Sequence, residues 1–176
     1  MLKKNAFTIP FLGLKNGEHS FKYSIDASFF EQLEADRISG SDLELNLIFE
    51  KADHMLQLHF DFDGTVTLNC DRCTSEFKQP IWIEESLIIK LSGPEEDTTD
   101  EIIFLPQDSS EIELKQFIYE FVVLSLPMIP NCEDAGIDGQ SCDKDTIEEI
   151  NKLNIANKDQ KQDPRWDALK NLNLKS

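Results

Sequence analysis

The chain has 176 residues, of which 34 are acidic and 17 basic, so its formal net charge is −17. Nucleic-acid affinity depends largely on lysine and arginine side chains that neutralise phosphates, so this balance argues against a protein that wraps RNA by itself. A basic protein partner is easier electrostatically, whereas composition alone favours a role of the charge in solubility. Hydrophobic residues make up 40% of the chain and include 12 phenylalanines, which excludes a disordered polar chain.

The N-terminal segment contains two lysines but only a short apolar run, which Pro10 interrupts. Neither a signal peptide nor a membrane-spanning run is predicted from the sequence. We therefore expect a cytoplasmic protein, in which thiols stay reduced. Under those conditions the four cysteines indicate metal or redox chemistry before disulfides.

The first part of the chain is predicted to hold two short strands and one short helix. The strands cover residues 7–11 and 19–25. Ser28 and Glu31 fit a capping box, so a helix over residues 27–36 is expected to lie on the sheet.

The clearest β signal lies in the middle of the chain. Apolar residues alternate with polar ones at Leu43, Leu45, Leu47, Phe49, Leu56, Leu58, Phe60 and Phe62. Asp63-Gly64 then supplies a two-residue hairpin signal, after which Val66, Leu68 and Cys70 continue the period of two on a further strand. One apolar face and one wet face are typical of an antiparallel sheet.

A long strand over 77–91, an acidic loop and a short edge strand at 102–105 follow. Ser110 and Glu113 fit a second capping box, and apolar residues then repeat at helical spacing. The pattern predicts the principal helix over residues 111–126, buried on most sides.

The composition changes after a single predicted domain over residues 1–142. Residues 143–162 are polar and predict a partly disordered linker, with at most one weak helix around Ile147–Leu153. Residues 163–174 predict a short amphipathic helix, which is marginal alone in water and needs a surface, in its own domain or on a partner. We expect it to dock on a partner through Arg165, Trp166, Leu169 and Leu172.

The four cysteines form two pairs. Cys70 and Cys73 are separated by two residues between two predicted strands, whereas nine residues separate Cys132 and Cys142. Structural zinc takes four thiolate or imidazole ligands, and a tight turn that holds two cysteines supplies half of such a site. The second spacing is wider than usual. We predict a structural zinc site made of Cys70, Cys73, Cys132 and Cys142.

Two other interpretations of these thiols stay open. Cys70 and Cys73 are also compatible with simple core packing, because free cysteine is among the most buried residue types. They could instead be a thiol–disulfide pair, although redox pairs of the thioredoxin type lie at a helix N-terminus and this pair lies between strands. His19, His54 and His59 are scattered, and no catalytic base and nucleophile are evident, so an enzyme is not predicted.

Three separated segments resemble one family. They are CDRC at 70–73 followed by the long apolar strand, LSLPMIPNC at 124–132 and DPRWDALKNL at 163–172. Their order and spacing resemble the YceD family, the large ribosomal RNA subunit accumulation proteins. The tail and the wide second cysteine pair resemble a Bacteroidetes-type branch of that family.

The resemblance implies a non-enzymatic role in the accumulation of large-subunit (23S) ribosomal RNA. Genes of this family often neighbour that of a small zinc-binding ribosomal protein, which implies a link to that protein. By the family motif, Cys70 and Cys73 are the metal pair, and Cys132 matches the cysteine that follows the proline-rich helix end. Cys142 departs from the tightest version of the motif.

The predicted fold is therefore α+β, with a curled antiparallel β-sheet of about six strands, one main helix packed on it and a C-terminal arm. The predicted function is that of a ribosome-biogenesis factor that binds a ribosomal protein or a large-subunit precursor particle. The alternatives are a thiol–disulfide redox protein that uses Cys70 and Cys73, and a zinc-stabilised RNA-binding module that uses lysines near the two ends of the chain.

Overall fold

The structure is a computed structural model that describes residues 6–92, 102–137 and 140–158. Its elements, in chain order, are β1 (Thr8–Ile9), β2 (Gly17–Asp26), α1 (Ala27–Glu31), β3 (Gly40–Lys51), β4 (Met55–Asn69), β5 (Glu76–Leu91), β6 (Ile102–Leu105), β7 (Ile112–Glu113), α2 (Lys115–Ser125) and α3 (Lys144–Lys158). The α+β class predicted from the sequence is confirmed. None of the described helices is long and apolar enough to cross a membrane.

The main sheet has five strands in the order β2-β3-β4-β5-β6, and β1 pairs with β7 in a separate two-stranded sheet. Neighbouring strands of the main sheet are antiparallel except for β5 and β6, which pair in parallel only over residues 88–91 and 102–105. The β4–β5 hairpin is the longest pairing and runs in register from Met55 opposite Lys90 to Asn69 opposite Glu76.

The inner face of the sheet carries the core. Every second side chain of β3 and β4 is at most 1% exposed, as the alternation in the sequence predicts: Leu43, Leu45, Leu47, Phe49, Leu56, Leu58, Phe60 and Phe62. Phe29 and Phe30 of α1, and Ile118 and Val122 of α2, are buried against this face. The ring of Phe60 contacts that of Phe121 edge-on, at 5.2 Å between centroids.

The outer face of the sheet is strongly acidic. Four acidic pairs lie directly opposite each other on neighbouring strands, and all eight side chains are exposed: Glu18 and Glu50, Asp26 and Asp42, Glu44 and Asp63, Asp61 and Glu84. Like charges directly across a strand pair are destabilising. The carboxylates on this face therefore repel one another, and a positive charge placed near them would reduce the repulsion.

The predicted hairpin turn at Asp63-Gly64 is wrong, because β4 runs without a break from Met55 to Asn69. Gly64 pairs with Leu43 inside the sheet, with φ at +141°. A Cβ atom at this position would overlap the backbone carbonyl oxygen of Asp42. A glycine is required here because two strands approach each other closely. The turn was predicted because glycine is also the residue type that tight turns favour.

Both predicted capping boxes are also wrong. Helix α1 begins one residue after Asp26, whose carboxylate accepts the backbone N–H of Ser28 at 3.0 Å, and it ends at Glu31. Before α2, residues 112–113 form β7 and pair with β1, so the helix begins only at Lys115. Pairing with a neighbouring strand supplies hydrogen bonds to both the N–H and the C=O groups of residues 112–113, whereas a capping side chain does not.

Helix α3 occupies part of the segment in which the sequence predicts at most one weak helix. It runs over 15 residues and begins after Asp143, whose carboxylate accepts the backbone N–H of Thr146 at 2.8 Å. An N-cap of this kind stabilises the first turn of a helix. The predicted docking helix, with Arg165, Trp166, Leu169 and Leu172, lies outside the described residues.

We expect Gly64→Ala to lower the free energy of unfolding by about 1–3 kcal/mol, because alanine at a strained φ clashes with the neighbouring strand. Gly13→Ala is the matched control, since no atom lies within 4 Å of a Cβ built there. It should change stability by less than about 0.5 kcal/mol. Urea denaturation of the two variants measures both effects, and equal stability of the two would contradict the close approach at Gly64.

Candidate metal centre

The first half of the centre lies in the turn between β4 and β5. Cys70 follows the last residue of β4, and the turn closes through hydrogen bonds from Thr74 N–H to the Cys70 carbonyl and from Cys70 N–H to the Ser75 carbonyl, at 2.8 and 2.9 Å. Thr74 has φ at +62°, which the tight turn requires. The long register of β4 with β5 thus fixes the position of this pair of thiols.

The second half lies on the loop between α2 and α3. Helix α2 ends at Ser125, and the proline-rich segment after it leads to Cys132. The loop returns to Cys142, directly before the N-cap of α3. Cys142 is therefore held at the start of α3, whereas Cys132 lies within the loop, beyond the proline-rich segment.

The structure brings all four predicted ligands together. Every sulfur lies within 4.8 Å of every other, and the four residues are 1–5% exposed. The sulfur–sulfur distances are 3.9 Å for Cys70 and Cys142, 3.8 Å for Cys73 and Cys132, and 3.2 Å for Cys132 and Cys142. All four are free thiols. No other group of three or more metal-ligand side chains occurs among the described residues.

These distances suit tetrahedral coordination by thiolates. With a metal–sulfur bond of about 2.3 Å, the sulfurs of a tetrahedral site lie about 3.8 Å apart. Two of the three distances agree with that value, and the pair of Cys132 and Cys142 would have to open by about 0.6 Å. The four thiols can therefore hold a metal ion with little rearrangement of the loops.

The first pair of thiols is stabilised as thiolates. Burial has the largest influence on Cys73 and raises its pKa, but hydrogen bonds from the backbone N–H groups of Asp143 and Ser75 outweigh it and bring the pKa to about 6. Burial is also the largest influence on Cys70, and N–H groups from both loops outweigh it and lower the pKa. Hydrogen bonds directed at a sulfur favour its charged form, which is the form that binds metal.

The second pair of thiols retains its protons more tightly. The hydrogen bond with Cys132 is the main cause that raises the pKa of Cys142, and burial is the main cause that raises the pKa of Cys132. Four thiolates this close would repel one another strongly. In the absence of a cation, the second pair therefore keeps its protons.

Side chains around the thiols join the two loops through contacts that the sequence did not predict. Arg72 donates to Glu133 across the loops at 2.9 Å. The side chain of Gln140 accepts from the backbone N–H of Lys78 at 2.7 Å and donates to its carbonyl at 3.0 Å. Gln140 thereby pairs with β5 as another strand would. Its position in the sequence, two residues before Cys142, gives no signal from which this pairing could be predicted.

The fold and the centre together define an α+β protein in which two loops close on four thiols that can hold a metal ion. Residues 58–173 match the family model of YceD, described as large ribosomal RNA subunit accumulation protein, and the chain belongs to this family. The matched region includes all four cysteines. No curated protein and no solved structure matches the chain. The name of the family implies a role in the accumulation of large-subunit ribosomal RNA.

We expect the purified protein to carry a metal ion that Cys73→Ser and Cys142→Ser each remove. Ser141→Ala is the matched control, because it removes an exposed hydroxyl beside Cys142 and leaves all four sulfurs in place. Metal content after dialysis, measured by elemental analysis, should fall in the two cysteine variants and stay at the wild-type level in Ser141→Ala. Full metal content in Cys142→Ser would show that Cys142 is not a ligand.

Metal binding at pH 7 should release protons, mainly from Cys132 and Cys142, because their pKa values are raised. The thiol of Cys73, with a pKa of about 6, is largely ionised already. Affinity should therefore fall as the pH falls, since protons then compete for the thiolates. Titration calorimetry in buffers of different ionisation enthalpy counts the protons, and we expect at least about two per metal ion, from Cys132 and Cys142. No proton release would contradict this protonation pattern.

Proposed function

We propose that the protein is a non-enzymatic factor in ribosome biogenesis that is needed for the accumulation of 23S ribosomal RNA. It acts in the cytoplasm by binding a ribosomal protein or a precursor particle of the large subunit. The family match over residues 58–173 is the observation that carries the proposal. The chemistry of the described residues supports binding as its mode of action.

Titratable groups with shifted pKa values mark functional sites, and here each has a structural cause. Outside the four thiols, such shifts among the described residues occur at Tyr23, Asp26 and Asp143. Burial raises the pKa of Tyr23. The pKa values of Asp26 and Asp143 are lowered chiefly by the side-chain hydroxyls of Ser28 and Thr146, which bond the two helix-capping carboxylates. None of the three is arranged as a general acid or base.

In this proposal the metal is a structural zinc ion held by Cys70, Cys73, Cys132 and Cys142. A closed site of four thiolates is typical of structural zinc and leaves no position for a substrate. The ion would balance the charge of the thiolates and fix the loop of residues 131–142 to the β4–β5 turn. Its contribution is therefore to the stability and shape of the surface around the loops.

The charge of the protein favours a basic partner. The net charge is −17, and directly opposed acidic pairs line the outer face of the sheet. Among the described residues only two ion pairs occur, Arg72 with Glu133 and Lys152 with Glu149. Most of the acidic side chains are thus available to a positively charged protein, and phosphates would be repelled.

We further propose that residues 163–174 form an amphipathic docking helix. Trp166 would be its main anchor, and Leu169, Leu172 and Arg165 would complete the contact. This arm would provide a second point of attachment, and the linker before it would set its reach.

One observation favours the redox alternative. The pKa of Cys73, at about 6, is in the range of activated thiols. A thiolate of low pKa is equally suited to a metal ligand, however, and the other three sulfurs surround it. Reduction of insulin disulfides by the wild-type protein, lost in Cys73→Ser, is the result that would favour the redox protein.

We expect a strain that lacks the gene to show a lower ratio of 23S to 16S ribosomal RNA than its parent. Plasmid-borne wild type should restore the ratio, and Cys73→Ser should restore it only in part, because the loops would lose their metal. Quantification of both RNAs during exponential growth measures the effect. An unchanged ratio in the deletion strain would overturn the proposed function.

A further inference from the structure

Three large apolar side chains project into solvent at the end of α2 and just after it. Leu124, Met128 and Ile129 are 80%, 92% and 73% exposed, and we refer to them as the apolar ridge. The other exposed large apolar residues of the described chain are scattered one by one: Leu12, Ile48, Met55, Trp82 and Leu153. Isolated residues of this kind are ordinary, whereas a group marks an interaction site.

The ridge is held firmly from beneath. Leu126 and Pro130, which lie between or beside the exposed residues, are buried. Arg37 donates to the carbonyl of Pro127 at 3.5 Å, and the backbone N–H of Asp71 donates to the carbonyl of Pro130 at 2.9 Å. Each proline also fixes its own φ. A surface ordered in advance loses little entropy when a partner binds.

The metal centre supports the base of the ridge. Asp71, which holds Pro130, lies between Cys70 and Cys73, and Cys132 follows Pro130 by two residues. A metal ion bound by these thiols would fix the two loops relative to each other. The shape of the ridge thus depends on the centre, although its exposed side chains are not themselves ligands.

The surroundings of the ridge are acidic. The chain from 116 to 143 has five acidic residues and no lysine or arginine. Glu120 lies one helical turn before Leu124 on the exposed side of α2. Asp71, Glu133 and Asp134 are exposed on the adjoining loops, where Arg72 is paired with Glu133, and Arg37 beside Pro127 adds one exposed positive charge. The ridge is therefore apolar at its centre and mostly negative around it.

This charge decides between possible occupants. RNA and an anionic membrane surface would both be repelled, and the ridge has no aromatic ring on which a base could stack. A second copy of the chain carries the same charge of −17 and would be repelled as well. A protein segment rich in lysine and arginine, with apolar side chains between them, complements both parts of the surface.

We infer that the apolar ridge is the docking surface for a basic segment of a large-subunit ribosomal protein. The inference rests on the proposed function and specifies the surface involved. Apolar side chains of the partner cover Met128, Ile129 and Leu124, and its basic side chains meet the acidic residues around them.

The test uses the full-length, metal-loaded protein with p-benzoylphenylalanine in place of Met128 or, as control, in place of Trp82. Trp82 is a large apolar residue that is 78% exposed on the outer face of the sheet. The probe is total protein extracted from purified large ribosomal subunits. After irradiation, mass spectrometry should find a basic ribosomal protein joined at position 128 and much less of it at position 82.

A matched pair of variants measures the energy of the contact. Met128→Ser with Ile129→Ser should weaken binding of the crosslinked protein, purified by itself, by about tenfold or more. Trp82→Ser with Leu153→Ser, which removes two exposed apolar residues elsewhere, should leave the affinity within about twofold of wild type. Unchanged metal content and melting temperature would confirm that both variants are folded.

The outcomes separate this inference from the proposed function. Crosslinking that is equal at the two positions, self-crosslinking at position 128, or equal affinity of the two double variants would overturn the ridge as the docking surface. The proposed function would still stand if the deletion strain lost 23S RNA. A normal RNA ratio would instead remove the function itself, whatever the ridge binds.

Discussion

Four sulfur atoms within 4.8 Å of one another join the β4–β5 turn to the segment between α2 and α3. As thiolates they would repel one another, so the loops can stay together only if protons or a metal ion balance the charge. The sheet fixes one pair through the register of β4 with β5, and the core fixes the helix that leads to the other. The loop from α2 to α3 has little core of its own and depends on this balance.

The body of the molecule does not depend on the thiols in the same way. Its inner sheet face is sealed by phenylalanine and leucine side chains that are at most 1% exposed, and α1 and α2 cover them. This arrangement was predictable from the sequence, because the alternation of apolar and polar residues along β3 and β4 identifies each buried residue. The same period placed Cys70 on the core side, where the structure has it.

Local signals failed where contacts distant in sequence decide the outcome. Asp63-Gly64 has turn chemistry, yet Gly64 lies within a strand because the backbone at Asp42 comes too close for a side chain. Ser110 and Glu113 fit a capping box, yet β1 pairs with Ile112 and with Glu113 itself. Gln140 shows no pattern at all, since its role depends on Lys78, which lies 62 residues earlier. Such contacts exist only once the sheet is formed.

The far edge of β5 has a consequence for how partners can approach. Among the described residues, β6 covers that edge only at 88–91. Along the rest of the edge, Gln140 already pairs with the backbone of Lys78, Pro80 has no N–H to donate, and Glu84 places a charge on the same stretch. Extended peptides and other copies of the sheet are therefore discouraged from pairing there. At this edge, recognition is left to side chains that project from the surface, and the edge does not act as a template for fibril-like stacking of further copies.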